Sequence, residues 1–152
     1  MKVAAYTDAL GKLCILIPAK NVYLKDGIFK TFRGAAPEGW QPATIEQIAT
    51  HDAPAAFIIT ETYPQDRYFR SAWKIDGASV GVDMDKAREI HMGRIRESRD
   101  KELAKLDIEA RRGNDNPVRA QYLRDLPQTF SLAEFATPED LKAAWPADLP
   151  RP

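Results

Sequence analysis

Two histidines bound the chemistry this chain could perform. His51 precedes Asp52, a base beside a carboxylate, and sits where a short helix should end, so the helix dipole favours an imidazolium there. His91 follows Asp83, Asp85 and Glu89 within nine residues, and oxygen with imidazole ligands can hold a divalent ion. Neither grouping has the spacing its chemistry requires. Glu89 and His91 are two apart, which on a helix turns them about 200° from one another. Asp83 and Asp85 are accounted for as the cap and first-turn acid of that helix. Ser71, Ser79, Ser98 and Ser131 lie outside any nucleophile-elbow pattern, and the eight glycines form no phosphate-cradling loop. Cys14 is the single cysteine, which excludes an intrachain disulfide and a four-cysteine zinc site. It lies in the apolar run LCILI, where a buried, inert thiol is expected. No catalytic, cofactor-binding or metal residue is assigned, and the chain is expected not to be an enzyme.

Composition narrows the partners. The chain has 152 residues, enough for a real core without disulfide or metal support. Its 22 basic and 22 acidic residues cancel, whereas a dedicated nucleic-acid binder draws its affinity from surplus cations. No apolar run approaches a membrane-spanning length, and the opening MKVAAYTDALGK lacks the apolar core of a signal peptide. The expectation is therefore no nucleic acid, no membrane, and synthesis in a cytoplasm.

The elements that must position these residues fall into two styles. Residues 1–82 read as a small mixed α/β domain. Lys2 to Tyr6 and Lys12 to Ile17 are strand candidates, and Val22 to Phe32 alternates around Asp26-Gly27, a two-residue hairpin signal. Thr44 with Gln47 has the capping-box form, predicting a helix to about His51 with Ile45, Ile48 and Ala49 inward. Ala55 to Thr60 and Tyr68 to Ile75 are further strand candidates. In the second, Phe69 and Trp73 share a face, which favours core over a binding patch around Arg67-Tyr68-Phe69-Arg70. Asp76-Gly77 then turns the chain into Ser79 to Val82.

From Asp83 the apolar period lengthens to that of a helix, sustained to Gly113. Ala87, His91, Ile95, Ser98, Glu102, Leu106 and Ala110 form one stripe, flanked by Ile90, Met92 and Leu103. The stripe is thin and is interrupted at Ser98 and Glu102. Glu97–Lys101 and Asp107–Arg111 are acid-then-base pairs at i,i+4. Arg88, Arg94, Arg96 and Arg99 could form a basic edge, but nine basic residues against eight acidic ones favour a solvated face laced with ion pairs. The helix is also too long to open a DNA-reading helix pair. Asn116 and Pro117 start a second helix to about Leu126, ended by Pro127, with Val118, Tyr122 and Leu126 on one face. Thr137-Pro138 starts a short third helix carrying Leu141, Ala144 and Trp145. Residues 83–146 thus make a helical hairpin with a short terminal helix, and 147–152 a proline-rich tail. Trp145 is expected to dock on its own hairpin. The fold class is α+β.

Two stretches carry a resemblance. DRYFRSAWKIDGASVGVDMDKAREIHMGRIR, residues 66 to 96, leads an Asp-Arg-x-Phe-Arg-x-Ala-Trp segment into an Arg-rich helix. YLRDLPQTFSLAEFATPEDLKAAWP, residues 122 to 146, places Arg-Asp-Leu-Pro before a terminal Trp-Pro. Both resemble small tail-associated proteins of tailed bacteriophages, of the tail-fibre assembly or tail accessory type. The resemblance covers about a third of the chain and brings no catalytic residues. It implies a non-enzymatic protein acting through protein–protein contacts, either a structural tail, fibre or baseplate component or a tail-fibre assembly factor. Its partners would be phage tail or tail-fibre proteins, in a homo-oligomer or hetero-complex. It would be found in the host cytoplasm during assembly, with the virion tail as a second location. The rival readings are a small cytoplasmic enzyme or ligand-binding domain with a pocket at His51 or His91, and a phage-encoded inhibitor of a host protein. Ile90, Ser98, Glu102 and Ile108 are the positions expected to meet another subunit, with Arg99 beside them.

Overall fold

The computed structural model describes residues 1–151, and Pro152 of the expected tail lies outside them. The protein is α+β. It divides into two compact units that interleave in sequence: residues 1–65 with 73–81, and residues 66–72 with 82 onward. The boundary expected at residue 82 is therefore crossed by 66–72, which belong with the helices.

In the first unit, β1 (Val3–Thr7) is the central strand of an antiparallel sheet, flanked by β2 (Leu13–Leu16) and β6 (Phe57–Thr60). The register pairs Ala5 with both Ile15 and Ile58. Val3, Ala4 and Ala5 are wholly buried, as a central strand covered on both faces requires. A second antiparallel sheet has the order β4-β3-β5, built from β3 (Val22–Lys25), β4 (Ile28–Thr31) and β5 (Gln41–Pro42). Asp26 and Gly27 both take positive φ (49° and 78°), the geometry of the two-residue turn that suits strand twist. Helix α1 (Ile45–Asp52) starts at the expected capping box. The Thr44 hydroxyl accepts from the Gln47 amide, and the Gln47 side chain accepts from the Thr44 amide. Ile48 and Ala49 are buried and Ile45 is half-buried. The hairpin of β7 (Trp73–Asp76) and β8 (Ser79–Val82) completes the strands.

The strand expected over Tyr68 to Ile75 is only half a strand. Arg67–Ala72 is a 3-10 helix with a kink at Phe69, and extended backbone begins at Trp73. The Asp66 carboxylate accepts from the Tyr68 amide at 2.9 Å and starts the turn, a local competition that alternation alone does not register. Phe69 and Trp73 are both buried, but in different units.

The second unit is organised by α2 (Met84–Arg111), capped by Asp83, whose side chain accepts from the Asp85 and Lys86 amides. Ala87, His91, Ile95 and Ser98 are its buried stripe, as the spacing predicts. Helix α3 (Pro117–Thr129) differs from expectation twice. It runs through Pro127, because that residue removes only its own amide bond and Phe130 resumes the ladder by donating to Leu126. Its buried face is Leu123 with Leu126, whereas Val118 is 80% exposed and Tyr122 is 39% exposed with the Arg119 guanidinium over its ring. Spacing of four selects Val118–Tyr122–Leu126 equally well, and packing chose the i,i+3 pair instead. Helix α4 (Pro138–Ala143), capped by Thr137, buries Leu141. Leu149 is also buried, so the proline-rich segment is part of this core.

Candidate functional sites at the two histidines

His91 is fully buried, about two turns into α2, and both ring nitrogens are engaged. Nε2 lies 2.6 Å from the Ala144 carbonyl, which can only accept. The proton therefore sits on Nε2, and Nδ1 accepts from the Tyr68 hydroxyl at 3.1 Å. Phe69 and Trp145 rings pack against the imidazole edge to face, at 6.1 and 5.6 Å between centroids. Burial pushes the imidazole below its ordinary pKa, and the Arg94 and Arg151 guanidiniums push the same way against the Ala144 hydrogen bond. His91 is thus a neutral, doubly bonded core residue that ties the 3-10 helix to the end of α4.

Around it the polar side chains of the helices hold main-chain carbonyls. Arg94 donates to the Tyr68 carbonyl at 2.8 Å and stacks on the Tyr68 ring at 3.7 Å. Lys142 lies over the same ring and pairs with Asp66, whose carboxyl is held below its usual range by that contact first. Arg88 donates to the carbonyls of Leu132 and Phe135. Ser98, the break in the apolar stripe, donates to the Pro150 carbonyl at 2.5 Å. Trp145 Nε1 donates to the Leu149 carbonyl at 2.7 Å. The interruption is the docking point of the segment that follows α4. A proline-rich segment offers carbonyls and few amides, so donors on the helix are the groups that fit it. Ile90, expected at a subunit contact, packs against this core, while Ile108 is 49% exposed.

His51 is different in every respect. Its side chain is 59% exposed, its Nδ1 lies 2.6 Å from Asp52 Oδ1, and its ring leans on Phe29 at 4.8 Å. It lines an open groove of about 440 Å³ with Leu24, Gly27, Phe29, Gln47 and Thr50. The floor of the groove is apolar, and Glu46, Gln47, Thr50 and His51 are the polar side chains along it, all from α1. Glu46, on its rim, is held below its usual carboxyl range by its own backbone amide and the Thr44 hydroxyl. The acids near His91 in sequence do not gather around it: Asp83 caps α2 and Asp85 pairs with Arg88. Among the described residues no three His, Cys, Asp or Glu side chains come together as ligands for a metal ion. No described helix is long and apolar enough to cross a membrane.

Sequence reasoning missed Tyr68, Arg94 and the carbonyl-capturing role of Ser98, because their partners lie far away along the chain. No protein-family model, curated protein or solved structure matches this chain.

Proposed function

We propose that this chain is a non-enzymatic, tail-associated protein of a tailed bacteriophage, acting through protein–protein contacts as a tail or fibre component or as a fibre assembly factor. One observation carries the reading. The two separate stretches that resemble such proteins, 66 to 96 and 122 to 146, meet at one residue: Tyr68 and Phe69 from the first and Ala144 and Trp145 from the second enclose His91. Apart from residues 73–81, which belong to the other unit, the two stretches thus fall on one packed module. The side chains that chemistry could have used there, His91 and Ser98, are engaged in holding it together. Its partners are tail or fibre polypeptides, met in the host cytoplasm during assembly. The test is a peptide map of purified virions, with co-purification against tagged fibre and tail polypeptides. A component is found in the particles. An assembly factor binds a fibre polypeptide and is absent from them. A chain that is missing from virions and binds no tail polypeptide overturns the reading.

The second reading, a ligand-binding domain at His51, is favoured by the exposed His51–Asp52 pair in its groove. Loss of a bound small molecule on His51→Ala, with fold unchanged, would establish it.

A further inference from the structure

From Cys14 to Gln47 not one residue is buried, although this span holds a complete three-stranded sheet. A small sheet needs an apolar face against something to be stable. This one has such a face. The Phe32 amide donates to the Asn21 carbonyl, so the bonded pairs alternate from there through Tyr23–Lys30 to Lys25–Ile28. Tyr23, Lys25, Ile28, Lys30 and Phe32 therefore share one side, with Trp40 packed against Phe32. The rings of Tyr23, Phe32 and Trp40 are half-buried, and Ile28 is 61% exposed. The same register turns the amides and carbonyls of Phe29 and Thr31 outward along the free edge of β4.

Charge says what could lie there. Residues 20–33 carry Lys20, Lys25, Lys30 and Arg33 against one acid, Asp26. Among the described residues none of these four cations forms an ion pair; Lys30 rests over the Phe32 ring at 5.6 Å. Two copies face to face would set Lys25 and Lys30 against their own mates, which opposes self-association at this face. Single-stranded nucleic acid would need open ring faces to stack on, yet Tyr23 and Trp40 meet Phe32 edge-on at 67° and 76° and Lys30 covers it. An extended peptide needs only a free edge and a patterned face.

We propose that the Tyr23–Phe32–Trp40 face and the open edge of β4 form a docking surface for an extended, acidic segment of a partner polypeptide, which adds to the sheet as a fourth strand. The segment alternates: its carboxylates reach Lys30 beside the edge, and Lys25 once its side chain swings across β3 from its place against Gly39, while its main chain bonds Phe29 and Thr31. This deepens the reading of the chain as an interaction protein and rests on it.

The test uses the full chain and a fluorescein-labelled peptide of alternating glutamate and valine, read by anisotropy. Binding should be saturable, weaken as salt rises, and shift the Phe29 and Thr31 amide resonances. Lys25→Glu with Lys30→Glu should weaken it by about tenfold or more, as reversal of contact charges does. Thr31→Pro should abolish it while preserving the β3–β4 bonds, because the amide it removes points outward. Should either variant misfold, Lys25→Gln with Lys30→Gln and the salt dependence of the unaltered chain decide the matter. Binding of an oligo-dT probe in preference to the peptide, a concentration-dependent dimer that shifts the same amides, or peptide binding indifferent to all these changes overturns the proposal. Failure of this reading is separable from failure of the phage-tail one. If purified tail polypeptides bind the unaltered chain and the lysine variants equally, the partner is right and the surface wrong. If they bind neither, the functional reading itself fails.

Discussion

The helical unit and the β4-β3-β5 sheet treat polar and aromatic side chains in opposite ways. Around His91, donors on α2 meet carbonyls one by one, and the aromatic rings of Phe69 and Trp145 close over an imidazole with no exposure. In the sheet, Tyr23 and Trp40 both meet Phe32, the three rings stay half-exposed, and the lysines are exposed. A buried polar group costs stability unless bonded, so it fixes one arrangement when it is. A half-exposed ring beside an unpaired cation fixes nothing and remains available. The difference separates a part of the molecule built to hold its shape from a part able to accept another chain.

Removing the segment after Ala143 should have the largest effect. It takes away the Trp145 ring, the buried Leu149, and the partners of His91 and Ser98 together. Trp145 is only partly buried, but truncating a buried leucine such as Leu149 alone costs about 2–5 kcal/mol. A chain ending at Ala143 should therefore lose most of its helical unit's stability in urea unfolding, with amide exchange in α2 accelerated from Ala87 to Ser98. Protection that survives there would mean the segment is an ornament. Next comes Leu123→Ala, at a fully buried position, expected to cost about 2–5 kcal/mol.

How much of this could be read beforehand follows the range of the interactions. The Thr44 capping box, the Asp26-Gly27 turn and the stripe Ala87–His91–Ile95–Ser98 are local, and each forms where its residues say it should. Tyr68 to Ile75 misled because alternation is also compatible with a 3-10 turn whose side chains find a core elsewhere. Ser98 read as a defect in an apolar stripe because its partner, the Pro150 carbonyl, lies 52 residues away. The aromatic face of the sheet needed only the hairpin register, which the turn type supplies. What was absent was any sequence sign that no later element would cover it.

The same asymmetry predicts a pH response confined to the helical unit. His91 has a folded pKa below its ordinary value of 6.5, so between the two values the unfolded chain binds the extra proton. Stability of that unit should be level above about pH 6.5, the ordinary histidine range, and fall as pH drops through it. The groups facing the ring are Arg94, Arg151, Tyr68 and the Lys142–Asp66 pair, and no free carboxylate stands by to accept an imidazolium. Urea midpoints from pH 8 to 5 measure this, above the range in which Asp66 and Glu97 lose their favourable pairing. His91→Gln should lower stability at every pH but flatten the slope. An unchanged slope would place the titrating group elsewhere.

In the sheet the contrast predicts small numbers. Phe32→Ala removes a ring that is already half in water, so its cost should be about 1 kcal/mol, well below that of Leu123→Ala. A cost equal to Leu123→Ala would mean the face is a core after all.

Arg99→Glu should be smaller still. Arg99 donates twice to its neighbour Asp100, at 3.0 and 2.7 Å, a pair on the helix surface next to the covered Ser98. The Arg99 side chain is only 20% exposed, but Asp100 is 63% exposed, so water still screens the pair and it contributes about 0–1 kcal/mol; reversal replaces attraction by mild repulsion between neighbours that do not share a helix face. Stability should shift within that range. The position was expected to border a subunit contact because the stripe beside it looked bare. The segment through Pro150 now covers that stripe, so assembly should survive the change, whereas reversal at Lys25 and Lys30 should not be tolerated. If Arg99→Glu disrupts binding to a tail polypeptide and the lysine reversals leave it intact, the helix is the contact surface and the roles of the two regions are exchanged.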